Sequence, residues 1–154
     1  MPRSSKRGFQ LRTVEGKQKI VADEDRVHYQ VVKYLKLKYP RVLFHTDAAG
    51  ELMLESMRMR QGKLNHPEIS FPDLQILEAR GGWFGLFIEM KREGENLYNA
   101  AGLFKNEHLS RQDATLKAMN ARNYKAYFAK GFDQITRLLD EYMALPPTQF
   151  SKHE

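Results

Sequence analysis

Cysteine is absent from the 154 residues. That removes disulfides, zinc–thiolate centres and cysteine nucleophiles together, and it fits a reducing, cytoplasmic setting. No apolar run approaches the roughly 20 residues needed to span a bilayer, so no membrane partner is expected. The basic N-terminus has no apolar stretch behind it and does not read as a signal peptide. Acidic charge is scarce at the start. Residues 1–20 hold Arg3, Lys6, Arg7, Arg12, Lys17 and Lys19 against Glu15 alone, so this arm carries most of the net charge of +6 and the remainder is close to neutral. A basic arm on a near-neutral body suits a polyanion such as nucleic acid. A solvated tail that only aids solubility has the same composition.

Hydrophobic residues at 42% and aromatics at 11% are enough for a packed core, and the length argues for one domain. The expected division is a flexible arm over 1–20, a folded domain over 21–145 and a loose tail over 146–154, after Pro146-Pro147. Val27, Val31, Tyr34 and Leu35 recur at helical spacing, which predicts a helix from about Asp23 to Lys38, stopped by Pro40. Arg41 to His45 reads as a strand, 47–50 as a turn and 51–64 as a weakly amphipathic helix. Strands are expected over Asp73–Leu77 and Trp83–Met90, around a turn at Arg80-Gly-Gly82. The second of these is apolar enough to be buried on both faces. A polar loop covers 92–107. Ser110-Arg-Gln-Asp113 has the form of a capping box for a helix running to about Asn120. A strand over Tyr124–Ala129 and a helix opened by Gly131 complete an α/β class chain, a single-domain α/β sandwich with a mixed central sheet.

Asp73 and Glu89 are equidistant in sequence from Gly81. A hairpin with an odd-length turn centred there sets them opposite each other, with Cβ atoms about 5 Å apart. Two carboxylates that close repel unless a cation lies between them, and magnesium takes one or two carboxylates plus water. Lys91, two residues beyond Glu89, points to the same strand face and can orient a water on the metal. Pro-Asp or Glu-x-Lys alone would mean little; their combination across one hydrophobic hairpin carries the reading.

These residues also bear a likeness. Phe71-Pro-Asp-Leu-Gln-Ile-Leu77 followed by Gly85-Leu-Phe-Ile-Glu-Met-Lys91 resembles the VRR-NUC branch of the PD-(D/E)xK nucleases, in the stand-alone form of phages and bacteria. Tyr34–Pro40, His108–Gln112 and Tyr124–Phe132 extend the resemblance over roughly 22–143. It implies a restriction-endonuclease-like core over 21–145 and a structure-specific DNA endonuclease using Mg2+ or Mn2+. It further implies a homodimer acting on branched, Holliday-junction-like DNA, in the cytoplasm of a bacterium or phage-infected host. Asp73, Glu89 and the Met90 carbonyl would hold the metal, with Lys91 positioning the water. The resemblance places an acidic catalytic residue at Glu24 on the first helix. Asp23 and Asp25 compete for that role, and all three also complement the helix dipole. It places a glutamine at Gln112, in the first turn of its helix, bonded to Lys91 or a phosphate, or else at the surface. A non-catalytic DNA-binding module and a restriction-type or RNA-directed nuclease share the same core and are the alternatives.

Lys6, Arg7 and Arg12 in the arm, with Arg58, Arg60 and Lys63, are the candidate phosphate contacts. His45 and Asp47 form a possible acid–base pair, although a satisfied structural histidine is the simpler reading. Met53, Met57 and Met59 read as packing, and Trp83 and Phe84 as core or a subunit contact. Deleting residues 2–20 is expected to flatten the slope of log K against log salt for DNA by a few units, because each phosphate contact contributes about −0.9 on duplex DNA. Binding by full-length and truncated protein across a salt series checks this; an unchanged slope makes the arm a bystander.

Overall fold

The computed structural model describes residues 25–47, 55–64, 66 and 68–150. Helix α1, described over 25–38, ends where Pro40 disfavours helical backbone at Tyr39. It is followed by β1 (Phe44–Thr46), α2 (Glu55–Leu64), β2 (Leu74–Ile76), β3 (Leu86–Lys91), α3 (Glu107–Asn120), β4 (Lys125–Lys130) and α4 (Gly131–Met143). The expected element order holds, and the fold is the expected α/β sandwich. Asp23, the expected start of α1, lies outside the described residues.

The four strands form one sheet in the order β1-β2-β3-β4. The first three are antiparallel, while β3 and β4 are parallel, so the sheet is mixed. β3 is central, and its Leu86 to Glu89 are all buried. Alternation along the strands divides the core. Leu74, Ile76, Leu86, Ile88 and Ala129 pack with Val31 and Leu35 of α1 and Ile135, Leu139 and Tyr142 of α4. On the opposite face Phe87 and Ala126 pack with Leu116 of α3. Odd-numbered residues of β3 therefore face α3. On the outside, Tyr34 and Tyr39 donate to Asp140 Oδ1 at 2.7 Å and Lys38 Nζ to its Oδ2 at 2.8 Å, tying the end of α1 to α4.

Three expectations need correction. The N-cap of α3 is Asn106, not Ser110. Asn106 is extended and its Oδ1 accepts from the Leu109 N–H at 2.9 Å, so the capping-box pattern falls inside a helix that starts three residues earlier. Gln112 consequently sits in the second turn. The β2–β3 connection is also not one odd-length turn. Gly81 and Gly82 both have positive φ, 58° and 85°, and Arg80 and Trp83 exchange N–H···O bonds of 3.0 and 2.9 Å. This is a two-residue hairpin turn of the primed kind, for which glycine is suited. Three residues, 77–79, then separate Arg80 from Ile76, but only two separate Trp83 from Leu86. The extra residue on the first strand restores the register centred on Gly81.

The C-terminal tail, expected to be loose from 146, is also held in place in its first part. Over 146–150 it is attached to this hairpin: Pro146 O accepts from Gly81 N at 2.8 Å, Thr148 N donates to Ala79 O at 2.9 Å, and Phe150 stacks on Phe84 at 5.6 Å. The turn's unpaired backbone groups explain this, since they need partners. Residues 151–154 and the arm 1–20 lie outside the described residues.

Gly85 lies against the end of β2 just before β3 begins. A Cβ there would stand 2.7 Å from the Ile76 carbonyl oxygen, a backbone atom that cannot step aside. Gly85→Ala is therefore expected to destabilise the fold by about 1–3 kcal/mol, read as a lower midpoint of thermal unfolding. An unchanged midpoint would mean that this contact is not tight.

Candidate active site

The register of β2 on β3 pairs Leu74 with Ile88. One step outward, Asp73 stands opposite Glu89, as the sequence symmetry predicts. Asp73 is held by its own strand end: its Oδ2 accepts the Met90 N–H at 2.8 Å, and its carbonyl accepts the Asp47 N–H at 2.9 Å. Glu89 points toward α3 and is only 3% exposed. Lys91, on the same face, donates to Glu89 Oε1 at 2.9 Å and lies 5.9 Å from the Phe128 ring centre.

Gln112 is also buried, at 4% exposed. Its Nε2 donates a very short hydrogen bond to Glu89 Oε1. The glutamine thus binds the carboxylate, not Lys91 or an exterior phosphate, and the first-turn placement and surface-amide reading are both set aside. Its Oε1 is buried with no hydrogen-bond partner among the described residues. A buried amide oxygen left unpaired costs free energy, which marks a place for a missing donor.

The electrostatics follow from burial. Glu89 is pushed up to about 8, first by burial and then by the Asp73 charge, against the pull of Lys91. Asp73 is also raised by burial. The Met90 N–H, Lys91 and His28 oppose that rise, while Asp47 adds to it. His108, at the start of α3, is lowered by burial, Lys91 and Arg111.

Sequence reasoning passed over His28, His108 and Arg111 as site neighbours. The signal was helical spacing: His108 precedes Gln112 by four residues, and His28 follows Glu24 by four within the helix expected from the sequence. Of the pair His45–Asp47, only Asp47 reaches the site. His45 is exposed on β1 and makes no side-chain hydrogen bond among the described residues, so among them it is neither a site partner nor a satisfied structural histidine. Glu24, Lys6, Arg7 and Arg12 lie outside the described residues, as does the side chain of Arg58. Arg60 and Lys63 are exposed on α2, and no hydrogen bond or ion pair among the described residues joins them to the carboxylates. Trp83 packs against the core, whereas Phe84 is exposed.

No family model and no curated protein matches the sequence. A solved structure described as "VRR_NUC domain protein" is similar in fold, with a TM-score of 0.59 at 21% identity, over 86% of this chain and 97% of that one. The chain has the fold of a VRR_NUC domain.

Within this VRR_NUC-type fold the donor set can be tested against a hard cation. Among the described residues no group of three or more His, Asp or Glu side chains could hold a metal. Two carboxylates are present, and one or two carboxylates with water is what magnesium takes. In an extended strand a residue's N–H and C=O point the same way. Since the Met90 N–H reaches Asp73, the Met90 carbonyl faces the same edge, past the end of β2. The unpaired Gln112 Oε1 adds an acceptor for a water. These groups fit Mg2+ or Mn2+.

The raised carboxyls make stability depend on pH. Unfolded, Glu89 ionises near its ordinary 4.5; folded, it holds its proton to about 8. Between those values the unfolded chain has released a proton that the folded chain keeps, so stability falls as pH rises across the window. The Asp73 shift acts in the same direction. With chelator present, the wild-type unfolding midpoint is expected to drop between pH 5 and 8, relative to Glu89→Gln, by roughly several degrees. Parallel profiles for the two proteins would refute the strained carboxylate.

Proposed function

We propose that the chain is a divalent-metal-dependent DNA nuclease hydrolysing phosphodiesters. The observation that carries the proposal is the pair of half-buried Asp73 and buried Glu89, face to face, with Lys91 beside Glu89. Burying two like charges is costly without a compensating cation, and a fold shared with a VRR_NUC domain supplies the nuclease context.

In this reading Asp73, Glu89 and the Met90 carbonyl hold Mg2+ or Mn2+, completing the PD-(D/E)xK pattern. When bound, the cation supplies Lewis-acid stabilisation of the charge that develops on the phosphate. Lys91 orients the attacking water through its ammonium group. Gln112 fixes the Glu89 carboxylate by its hydrogen bond, so that one Glu89 oxygen stays aimed at the cation. Glu24, just ahead of the described part of α1 in the sequence, is assigned a supporting role on the strength of the resemblance. The proposed substrate is branched DNA of the Holliday-junction kind, cut by a homodimer whose two-fold axis matches that of the junction. Lys6, Arg7, Arg12, Arg58, Arg60 and Lys63 would contact phosphates.

Cleavage of labelled duplexes, flaps, splayed arms and four-way junctions, with Mg2+, Mn2+ or chelator, tests this. Metal-dependent cutting with preference for branched substrates is expected. Asp73→Ala and Glu89→Ala each remove a ligand and should lower the rate by roughly a hundredfold or more. Lys91→Ala should lower turnover by roughly a hundredfold with DNA binding retained. Near-wild-type cutting by either carboxylate variant would refute the site. Loss of DNA binding by Lys91→Ala would make it a phosphate anchor.

A further inference from the structure

The segment between β3 and α3 was expected to be a polar loop. It is instead a small ordered hairpin. Leu97 is buried and anchors it. Lys105 N donates to Leu97 O at 3.0 Å, Asn99 N to Leu103 O at 2.8 Å and Gly102 N to Asn99 O at 3.0 Å. Asn99 Oδ1 accepts from the N–H groups of Ala101 and Leu103 at 2.9 and 3.1 Å, and Asn96 Oδ1 accepts from Tyr98 N at 3.1 Å. The backbone therefore satisfies itself and needs no partner to hold its shape.

What this hairpin displays is aromatic. Tyr98 and Phe104 are paired across it with ring centres 4.9 Å apart and planes 30° apart. Phe104 lies 6.2 Å from Phe128, and Phe128 is the ring beneath Lys91. Three rings thus form a chain of contacts from the surface to Lys91. Tyr98, at its outer end, is 44% exposed. Phe104 covers one of its faces, and the ring remains exposed to solvent. Lys117 of α3 lies within electrostatic reach of Tyr98 and is exposed, although it also pairs with Asp113 at 2.7 Å.

We propose that the outer face of Tyr98 is a stacking platform for an unpaired nucleobase of the DNA strand that enters the site. The proposal rests on the nuclease reading above and specifies its substrate class: a strand with a splayed or single-stranded nucleotide next to the cut. An aromatic face held rigid beside a cation is the usual means of gripping a single strand, because every base has a π-face while the phosphate takes the charge. A fully paired duplex keeps its bases stacked inside and offers none to Tyr98. A branch point offers several, and continuity of the ring line with Lys91 puts such a base within a few nucleotides of the scissile phosphate.

The test uses the full chain in chelator, so it reads binding without cleavage. The probes are a single strand carrying 2-aminopurine and the matching duplex. Wild type should quench the single-strand probe. Tyr98→Ala should lose the quenching and lower the single-strand over duplex affinity ratio by roughly tenfold, within the range for loss of one base stack, while Tyr98→Phe should retain both. Equal weakening on both DNAs, or no change on either, would overturn the proposal, as would absence of quenching by wild type. Because no cleavage is read, failure of the nuclease reading shows separately, as a chain that stacks the base but never cuts with metal.

Discussion

Asp73 and Glu89 are held opposite each other under α3, and that opposition is the constraint on which the rest of the site depends. Neither carboxylate is there for stability. Burial raises the proton affinity of both, and the Asp73 charge raises that of Glu89 further. The fold tolerates them because several groups around the pair are arranged to answer it. Met90 N–H and Lys91 donate to the two carboxylates, Gln112 grips Glu89 from α3, and His28 offsets Asp73 from α1. Three elements from both faces of the sheet thus converge on one strand end. Buried charge that is costly in the resting protein is a common signature of a working site.

The pair exists only in one register. A slip of one residue would turn Glu89 to the other face of β3 and bring an apolar side chain out in its place. Several features hold the register against that slip. Leu74, Ile76, Leu86 and Ile88 are buried against α1 and α4, Gly85 lets the strands approach, and residues 146–148 bond to the turn from outside. The C-terminal segment therefore acts at a distance on the site, by clamping the hairpin that sets it.

Much of this was legible in the residues. The symmetry of Asp73 and Glu89 about Gly81 foretold their opposition, and it held even though the turn has two residues, because the extra residue at 77–79 restores the count. The apolar run before Met90 foretold the central strand. The cap of α3 was misplaced because Ser110 and Asp113 satisfy a local pattern, while Asn106 wins through a backbone that is extended at 106 and helical from 107. Local spacing could not show that Gln112 would bond Glu89, since that contact joins residues 23 apart in sequence. Nor could it show that a polar loop of Asn and Gly would close on itself and expose Tyr98, or that the tail would have a seat. Those outcomes depend on which backbone groups remain unpaired once the sheet has formed.

An anomalous diffraction map from crystals of the full chain grown with Mn2+ tests most directly whether the paired carboxylates hold a cation. A single strong peak is expected between the Asp73 and Glu89 carboxylates, within about 2.0–2.2 Å of their oxygens, as for a small octahedral cation, and near the Met90 carbonyl. A structure in which both carboxylates stay bonded as they are here, with no peak between them at millimolar Mn2+, would contradict it.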